Sequence, residues 1–64
     1  MYLIRVKEER RHAIAYETPD SYWADVENGL YVTQENATRF RRYEDAKRQV
    51  AVMDEEVVEV NDGK

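Results

Sequence analysis

The residues able to support nucleophilic catalysis are few and poorly spaced. The 64-residue chain has one His, His12, and no Cys, so a catalytic triad would need a Ser or Thr hydroxyl as its nucleophile. Ser21 comes nearest to a match, because it follows Asp20 and lies nine residues beyond His12. However, Asp20 and Ser21 both belong to a Thr-Pro-Asp-Ser run, which is typical of a turn. We therefore interpret them as turn residues and predict that the protein is not an enzyme.

A run of carboxylates near the carboxyl end could in principle bind a divalent cation. Its members are Asp54, Glu55, Glu56, Glu59 and Asp62. Their spacing lacks the twelve-residue loop with a central Gly of a calcium-binding hand. The absence of Cys and the single His exclude thiolate and multi-histidine sites. We predict no metal and no cofactor, and interpret the acids as charges on an exposed strand edge, where they discourage aggregation.

Five basic side chains within ten residues form a candidate for binding phosphate. They are Arg39, Arg41, Arg42, Lys47 and Arg48, and such a cluster suits a nucleic-acid backbone. Against this, Glu44 and Asp45 lie among them and the net charge of the chain is −4, whereas nucleic-acid-binding domains are normally basic. We therefore expect these charges to pair with acidic segments inside the fold. A nucleic-acid-binding module is the alternative function.

Aromatic residues indicate a second kind of surface. The chain contains five Tyr, one Trp and one Phe, and most should be buried. A sheet covered by one short helix leaves its other face open, and Tyr and Trp exposed there would mark a contact surface for a partner protein. Acidic residues would rim that surface. The predicted partner-binding residues are Trp23, Tyr31, Tyr22 and Asp25.

Alternating and turn-forming residues predict two hairpins in the first half of the chain. Residues 2–7 alternate apolar and polar side chains, as in a strand with one buried face. The charged run 8–11 reads as a turn or an exposed strand end, and residues 12–17 as the second strand. Asn28-Gly29 predicts a second hairpin over residues 22–32, because both residues tolerate positive φ. Residues 33–36 are expected to form one helical turn, and residues 37–40 a short extended segment.

One helix and one strand are predicted in the second half. Tyr43, Ala46, Val50 and Met53 recur at spacings of three and four, which predicts a helix with an apolar stripe. This stripe and Phe40 should meet Ile4, Ile14, Tyr31 and Val58 in the core. Residues 55–60 read as a closing strand. The predicted fold is α+β: a small antiparallel sheet of four to five short strands with one helix packed on one face.

The size of the chain sets the remaining expectations. We predict a single domain over residues 1–60 and a polar tail over residues 61–64. A core this small is marginal without a staple, and the chain has no Cys, so a homodimer is a possible supplement. No stretch approaches the roughly 18 apolar residues of a membrane span. We expect a cytoplasmic protein with no membrane contact.

The order of these signals resembles a loose group of short, uncharacterised proteins encoded by phages and prophages. The shared pattern is A-x-x-F, a polar joint and a helix that begins x-E-x-A-x-x-x-A/V. Here these are Ala37 to Phe40 and Tyr43 to Val50. The resemblance implies a phage-type accessory role and carries no functional residues. The preferred function is therefore a non-enzymatic accessory or regulatory protein that binds a protein partner through the aromatic and acidic sheet surface.

Overall fold

The fold is a four-stranded antiparallel sheet with one helix against it. The computed structural model describes residues 1–13, 19–50 and 53–60. The strands are β1 (Tyr2–Val6), β2 (Trp23–Asp25), β3 (Leu30–Val32) and β4 (Glu55–Glu59), in the order β3-β2-β1-β4. The helix α1 spans Tyr43–Gln49, and short 3₁₀ helices span Glu8–Ala13 and Gln34–Asn36. The predicted α+β class is confirmed.

The first strand lies in the middle of the sheet and is buried on both faces. It pairs with β4 along its whole length and with β2 at Arg5↔Trp23. Leu3 and Ile4 point to opposite faces, as neighbouring strand residues must, and each is only 1% exposed. The alternation of polar and apolar residues predicted one buried face. That expectation was wrong, because a central strand in this sheet has a cover on each side.

Each face of the sheet has its own apolar cluster. On the face covered by α1, Ile4 and Ala24 pack with Ala46, which is fully buried in the middle of the helix. On the opposite face, Leu3 and Trp23 pack with Ala37, the residue that ends the second 3₁₀ helix. Half-buried side chains extend both clusters. Val57 and Val58 contribute to different faces, so the predicted contact of Val58 with the helix is replaced by Val57.

The charged run after β1 folds into a 3₁₀ helix instead of a simple turn. The N–H of Arg10 donates to the carbonyl of Lys7 at 2.9 Å, and the Arg11 guanidinium donates to the carbonyl of Val6 at 3.0 Å. His12 and Ala13 end this 3₁₀ helix, so they do not begin the predicted second strand. The rest of that prediction, together with Ile14, lies outside the described residues. In the sheet, β1 is flanked by β2 and β4.

The second predicted hairpin is confirmed, with a longer loop. Asp25 faces Leu30 across β2 and β3, so four residues connect the strands. The Asp25 carboxylate accepts hydrogen bonds from the Asn28 backbone N–H at 3.2 Å and its side-chain amide at 2.8 Å. Gly29 has φ +68° and donates its N–H to the Asp25 carbonyl at 2.9 Å. The Asp25 side chain therefore widens the turn, and Gly29 supplies the left-handed residue.

The segment before α1 is tied to the sheet by its backbone. Phe40 and Tyr2 exchange N–H to carbonyl hydrogen bonds of 2.9 and 2.8 Å, which confirms an extended stretch here. The Thr38 N–H donates to the carbonyl of Ala24 at 3.1 Å, and its hydroxyl accepts from the Val26 N–H at 2.9 Å. These bonds fix where α1 begins.

The helix is shorter than its apolar stripe predicts. It ends at Gln49, and Val50 already has an extended conformation with ψ 116°. Phe40, Ala46 and Val50 join the cluster on that face, as expected. Tyr43 remains 48% exposed and Met53 is 87% exposed, so Met53 does not belong to the core. The periodicity continued past the point where the chain must leave the helix to reach β4.

The burial of β1 predicts a contrast between two conservative changes. Ile4→Val should lower the free energy of unfolding by about 0.5–1.5 kcal/mol, because it leaves a methyl-sized gap between the sheet and Ala46. Met53→Val should change it by less than about 0.5 kcal/mol, since that side chain faces solvent. Urea unfolding followed by tryptophan fluorescence measures both. Equal effects of the two substitutions would contradict the assignment of the core.

Candidate functional site

A concave surface opens between the β2–β3 hairpin and the end of α1. Its volume is about 240 Å³. The residues that line it are Ile4, Ala24, Asp25, Val26, Gly29, Leu30, Tyr31, Gln49 and Glu55. We call this the hairpin groove. Its floor is the edge of the core cluster under α1, and its outer wall is Leu30, which is 57% exposed.

The position of Leu30 follows from the turn that precedes it. Gly29 reverses the chain in a conformation that favours glycine, so Leu30 is the first residue of β3 and faces Asp25 of β2. β3 lies at the edge of the sheet, and no further strand covers it among the described residues. An apolar side chain is thereby held at the rim of an apolar concavity.

Two carboxylates give the hairpin groove its charge. Asp25 lies on the hairpin side, and Glu55, the first residue of β4, lies on the other. The Tyr31 hydroxyl donates to the Glu55 carboxylate at 2.6 Å, which holds that acid against the sheet. The remaining lining residues are uncharged, so the groove combines an apolar floor with a negative rim.

The predicted aromatic surface is divided between the two faces of the sheet. Tyr31 and Asp25 line the hairpin groove. Trp23 packs with Leu3 on the opposite face and is only 7% exposed, and Tyr22 stacks on it with ring centroids 5.7 Å apart. The four residues therefore do not form one continuous surface. Trp23 is buried because Ala37, Tyr22 and Arg5 cover its face of the sheet.

Two arginines cover the aromatic pair on the opposite face. The Arg5 guanidinium lies 5.5 Å from the Trp23 ring centroid, and Arg11 lies 3.8 Å from that of Tyr22. Arg5 also pairs with Glu56 at 2.7 Å. A shallow, polar concavity of about 300 Å³ adjoins the pair, with Asp20 and Glu35 in its lining. Of the acids expected to rim the aromatic surface, Asp20 and Glu35 lie beside Trp23, whereas Asp25 lines the hairpin groove.

The five basic side chains of residues 39–48 lie on the surface. Arg39, Arg41, Arg42, Lys47 and Arg48 are all exposed. Within residues 1–13, 19–50 and 53–60, no ion pair joins Arg41, Arg42, Lys47 or Arg48 to a carboxylate. The acids pair elsewhere: Asp54 binds Arg10 at 3.1 Å and Glu56 binds Arg5. The expected pairing is therefore not found for these four side chains among the described residues, and the acids Glu17 and Asp62 lie outside that part of the chain.

The residues considered for catalysis differ in their exposure. Ser21 is buried, whereas Asp20 and His12 are exposed, the latter in the first 3₁₀ helix. Within the part of the chain that the structure describes, no group of three His, Cys, Asp or Glu side chains is placed to hold a metal ion. None of the helices described there has the length and apolar character needed to cross a membrane.

Sequence reasoning missed most of the hairpin groove. Leu30, Val26 and Gln49 carried no chemical signal of their own, and Glu55 was interpreted only as an edge charge. One indication was available: an apolar residue directly after Asn-Gly stands at the mouth of a hairpin.

Comparison of the chain with protein-family models, with curated proteins and with solved structures finds no match.

The Tyr31–Glu55 hydrogen bond predicts an effect that a matched tyrosine should lack. Tyr31→Phe should lower the free energy of unfolding by about 1 kcal/mol, because a half-buried carboxylate loses a donor. Tyr43→Phe is the control, since no hydrogen bond of its hydroxyl is found among the described residues. Thermal unfolding by circular dichroism measures both. A larger loss in Tyr43→Phe than in Tyr31→Phe would contradict this account.

Proposed function

We propose that the protein is a non-enzymatic interaction module that binds a segment of a partner protein in the hairpin groove. The observation that carries the proposal is the combination of an apolar concavity with a negative rim. Ile4, Ala24 and Val26 supply apolar lining, and Asp25 and Glu55 supply charge. The occupant of matching chemistry is a peptide segment in which an apolar side chain is followed or preceded by Lys or Arg.

The size of the groove favours a side chain over a metabolite. Pockets for small molecules usually have volumes of about 300–1,000 Å³ and enclose most of their ligand. The hairpin groove has about 240 Å³ and is open on one side. It is suited to one or two side chains of a longer segment, the rest of which would lie across the surface. The exposed edge of β3 supports this reading, because an edge strand offers backbone groups to an extended peptide.

The proposal keeps part of the predicted binding surface. Tyr31 and Asp25 are retained, because both line the groove, and Trp23 and Tyr22 are not. Tyr31 offers an aromatic ring beside the carboxylate that it orients, an arrangement common where proteins meet partners. The phage or prophage origin remains a prediction, supported by the A-x-x-F and helix-start pattern. An accessory protein of that kind, located in the cytoplasm, would act by occupying a host or phage protein.

Selection from a random displayed peptide library tests the proposed chemistry. We expect enriched peptides to combine a large apolar residue with a neighbouring Lys or Arg, and to bind the purified chain in a fluorescence anisotropy titration. Leu30→Lys should weaken that binding about tenfold or more, because it removes the apolar wall and because its charge repels the Lys or Arg of the peptide. Met53→Lys is the matched control, an equally conspicuous exposed apolar residue outside the groove.

Three results would overturn this proposal. The first is enrichment of peptides without a basic residue, and the second is equal loss of binding in the two Lys variants. The third is a dimer, seen by sedimentation, that Leu30→Lys dissociates and Met53→Lys leaves intact. That result would assign the groove to a second copy of the chain.

A further inference from the structure

Positive and negative charges are concentrated in different parts of the chain, although the net charge is small. Residues 39–48 hold five basic and two acidic side chains, a local net charge of +3, so all other residues together carry −7 in a chain whose total is −4. The division is preserved on the surface, because every charged residue in this segment is exposed. We call the surface formed by Arg39, Arg41, Arg42, Tyr43 and Lys47 the basic face.

The backbone holds the basic face in a defined shape. Phe40 turns its side chain into the core cluster and exchanges two backbone hydrogen bonds with Tyr2. Because neighbouring side chains of an extended chain point in opposite directions, Arg39 and Arg41 point away from the core, with their Cα atoms roughly 7 Å apart. Arg42 follows in an extended conformation, φ −119° and ψ 141°. Three guanidinium groups are therefore presented from a short stretch of anchored backbone.

An aromatic ring stands among these cations. Tyr43 is the first residue of α1 and is 48% exposed. Its ring is fixed by an edge-to-face contact with Tyr2, with centroids 5.9 Å apart and planes at 78°. Lys47 lies one helical turn further along the same side of α1. A fixed, half-exposed ring next to Arg and Lys side chains can stack on an unpaired base while the cations meet phosphates.

We propose that the basic face binds single-stranded nucleic acid through phosphate contacts of Arg41, Arg42 and Lys47 and stacking of a base on Tyr43. A duplex fits less well, because its bases are not free to stack on a protein ring and because α1 carries Glu44 and Asp45 where a recognition helix would enter a groove. The interaction is independent of the hairpin groove. The −7 charge elsewhere on the chain opposes the approach of nucleic acid and makes the binding weak. The phosphate contacts make it dependent on salt, because they release counterions.

Fluorescence anisotropy with a labelled oligothymidylate of about 15 nucleotides tests the basic face. Binding should be measurable at about 20 mM NaCl and weaken with added salt. The slope of log K against log salt concentration should be about −2, the value for roughly three phosphate contacts on a single strand. Arg41→Gln/Arg42→Gln should reduce the magnitude of the slope by about 1.4.

Two controls separate the basic face from net charge. Lys7→Gln/Arg10→Gln removes the same total charge outside the basic face, and should leave the slope unchanged. Tyr43→Ala should weaken binding about fivefold or more, and Tyr43→Phe should bind as the parent does. Circular dichroism establishes that each variant is folded. Since Tyr43→Ala also loses the Tyr2 contact, the charge variants test the proposal even if that variant unfolds.

Several outcomes would overturn the proposal. They are an absence of binding at the lowest salt, an equal loss in the two double Gln variants, and equal affinity for the oligonucleotide and for a poly-glutamate peptide. Self-association that Arg41→Gln/Arg42→Gln abolishes would assign the basic face to the acidic surface of a second copy. All of these measurements leave the hairpin groove untouched, so their failure would not bear on the peptide-binding proposal.

Discussion

The structure depends on the burial of β1 on both faces of the sheet. A chain of 64 residues has little apolar surface to spare, since domains of this size bury only about 60% of what the unfolded chain exposes. Placing one strand in the centre lets Leu3 and Ile4 each anchor a different cluster. The chain therefore forms two small apolar clusters, one on each face of the sheet, instead of one larger core. The cost is that both faces of the sheet need a cover from very short elements.

Those covers explain why the polar parts of the chain are arranged as they are. On one face, α1 offers Ala46, whose small side chain lets the seven-residue helix lie close to the sheet. On the other, Arg5 and Arg11 lie over Trp23 and Tyr22, so the stems of charged residues act as part of the cover. The guanidinium groups of these two arginines therefore contact aromatic rings of the fold. The cations of residues 41–48 are left on the surface.

Sequence patterns predicted the secondary-structure elements better than they predicted which elements pair with each other. Alternation and turn chemistry placed β1, β2, β3 and β4 correctly, because these signals are local. The predicted partner of β1 was wrong, since the nearest strand-like segment was taken as its neighbour. Its neighbours are β2 and β4, and β4 pairs with it from 49 to 57 residues further along the chain. The end of α1 was also misplaced: Met53 has the right spacing for the apolar stripe but is 87% exposed, because the helix ends at Gln49. Long-range pairing competes with local periodicity, and a sequence shows only the second.

The same limit applies to the candidate sites. Asp25 and Tyr31, which their residue types singled out, both line the hairpin groove, but Leu30 and Glu55 join them only because the fold brings residues of all four strands to one concavity. Charge blocks along the chain suggested mutual neutralisation, yet Asp54 and Glu56 are held by Arg10 and Arg5 across β1. Because these two acids are paired with Arg5 and Arg10, they do not neutralise the basic side chains of the segment before α1. The central strand that builds both cores therefore also decides which charges remain available at the surface, and it leaves an acidic groove at the end of α1 and a basic face at its beginning.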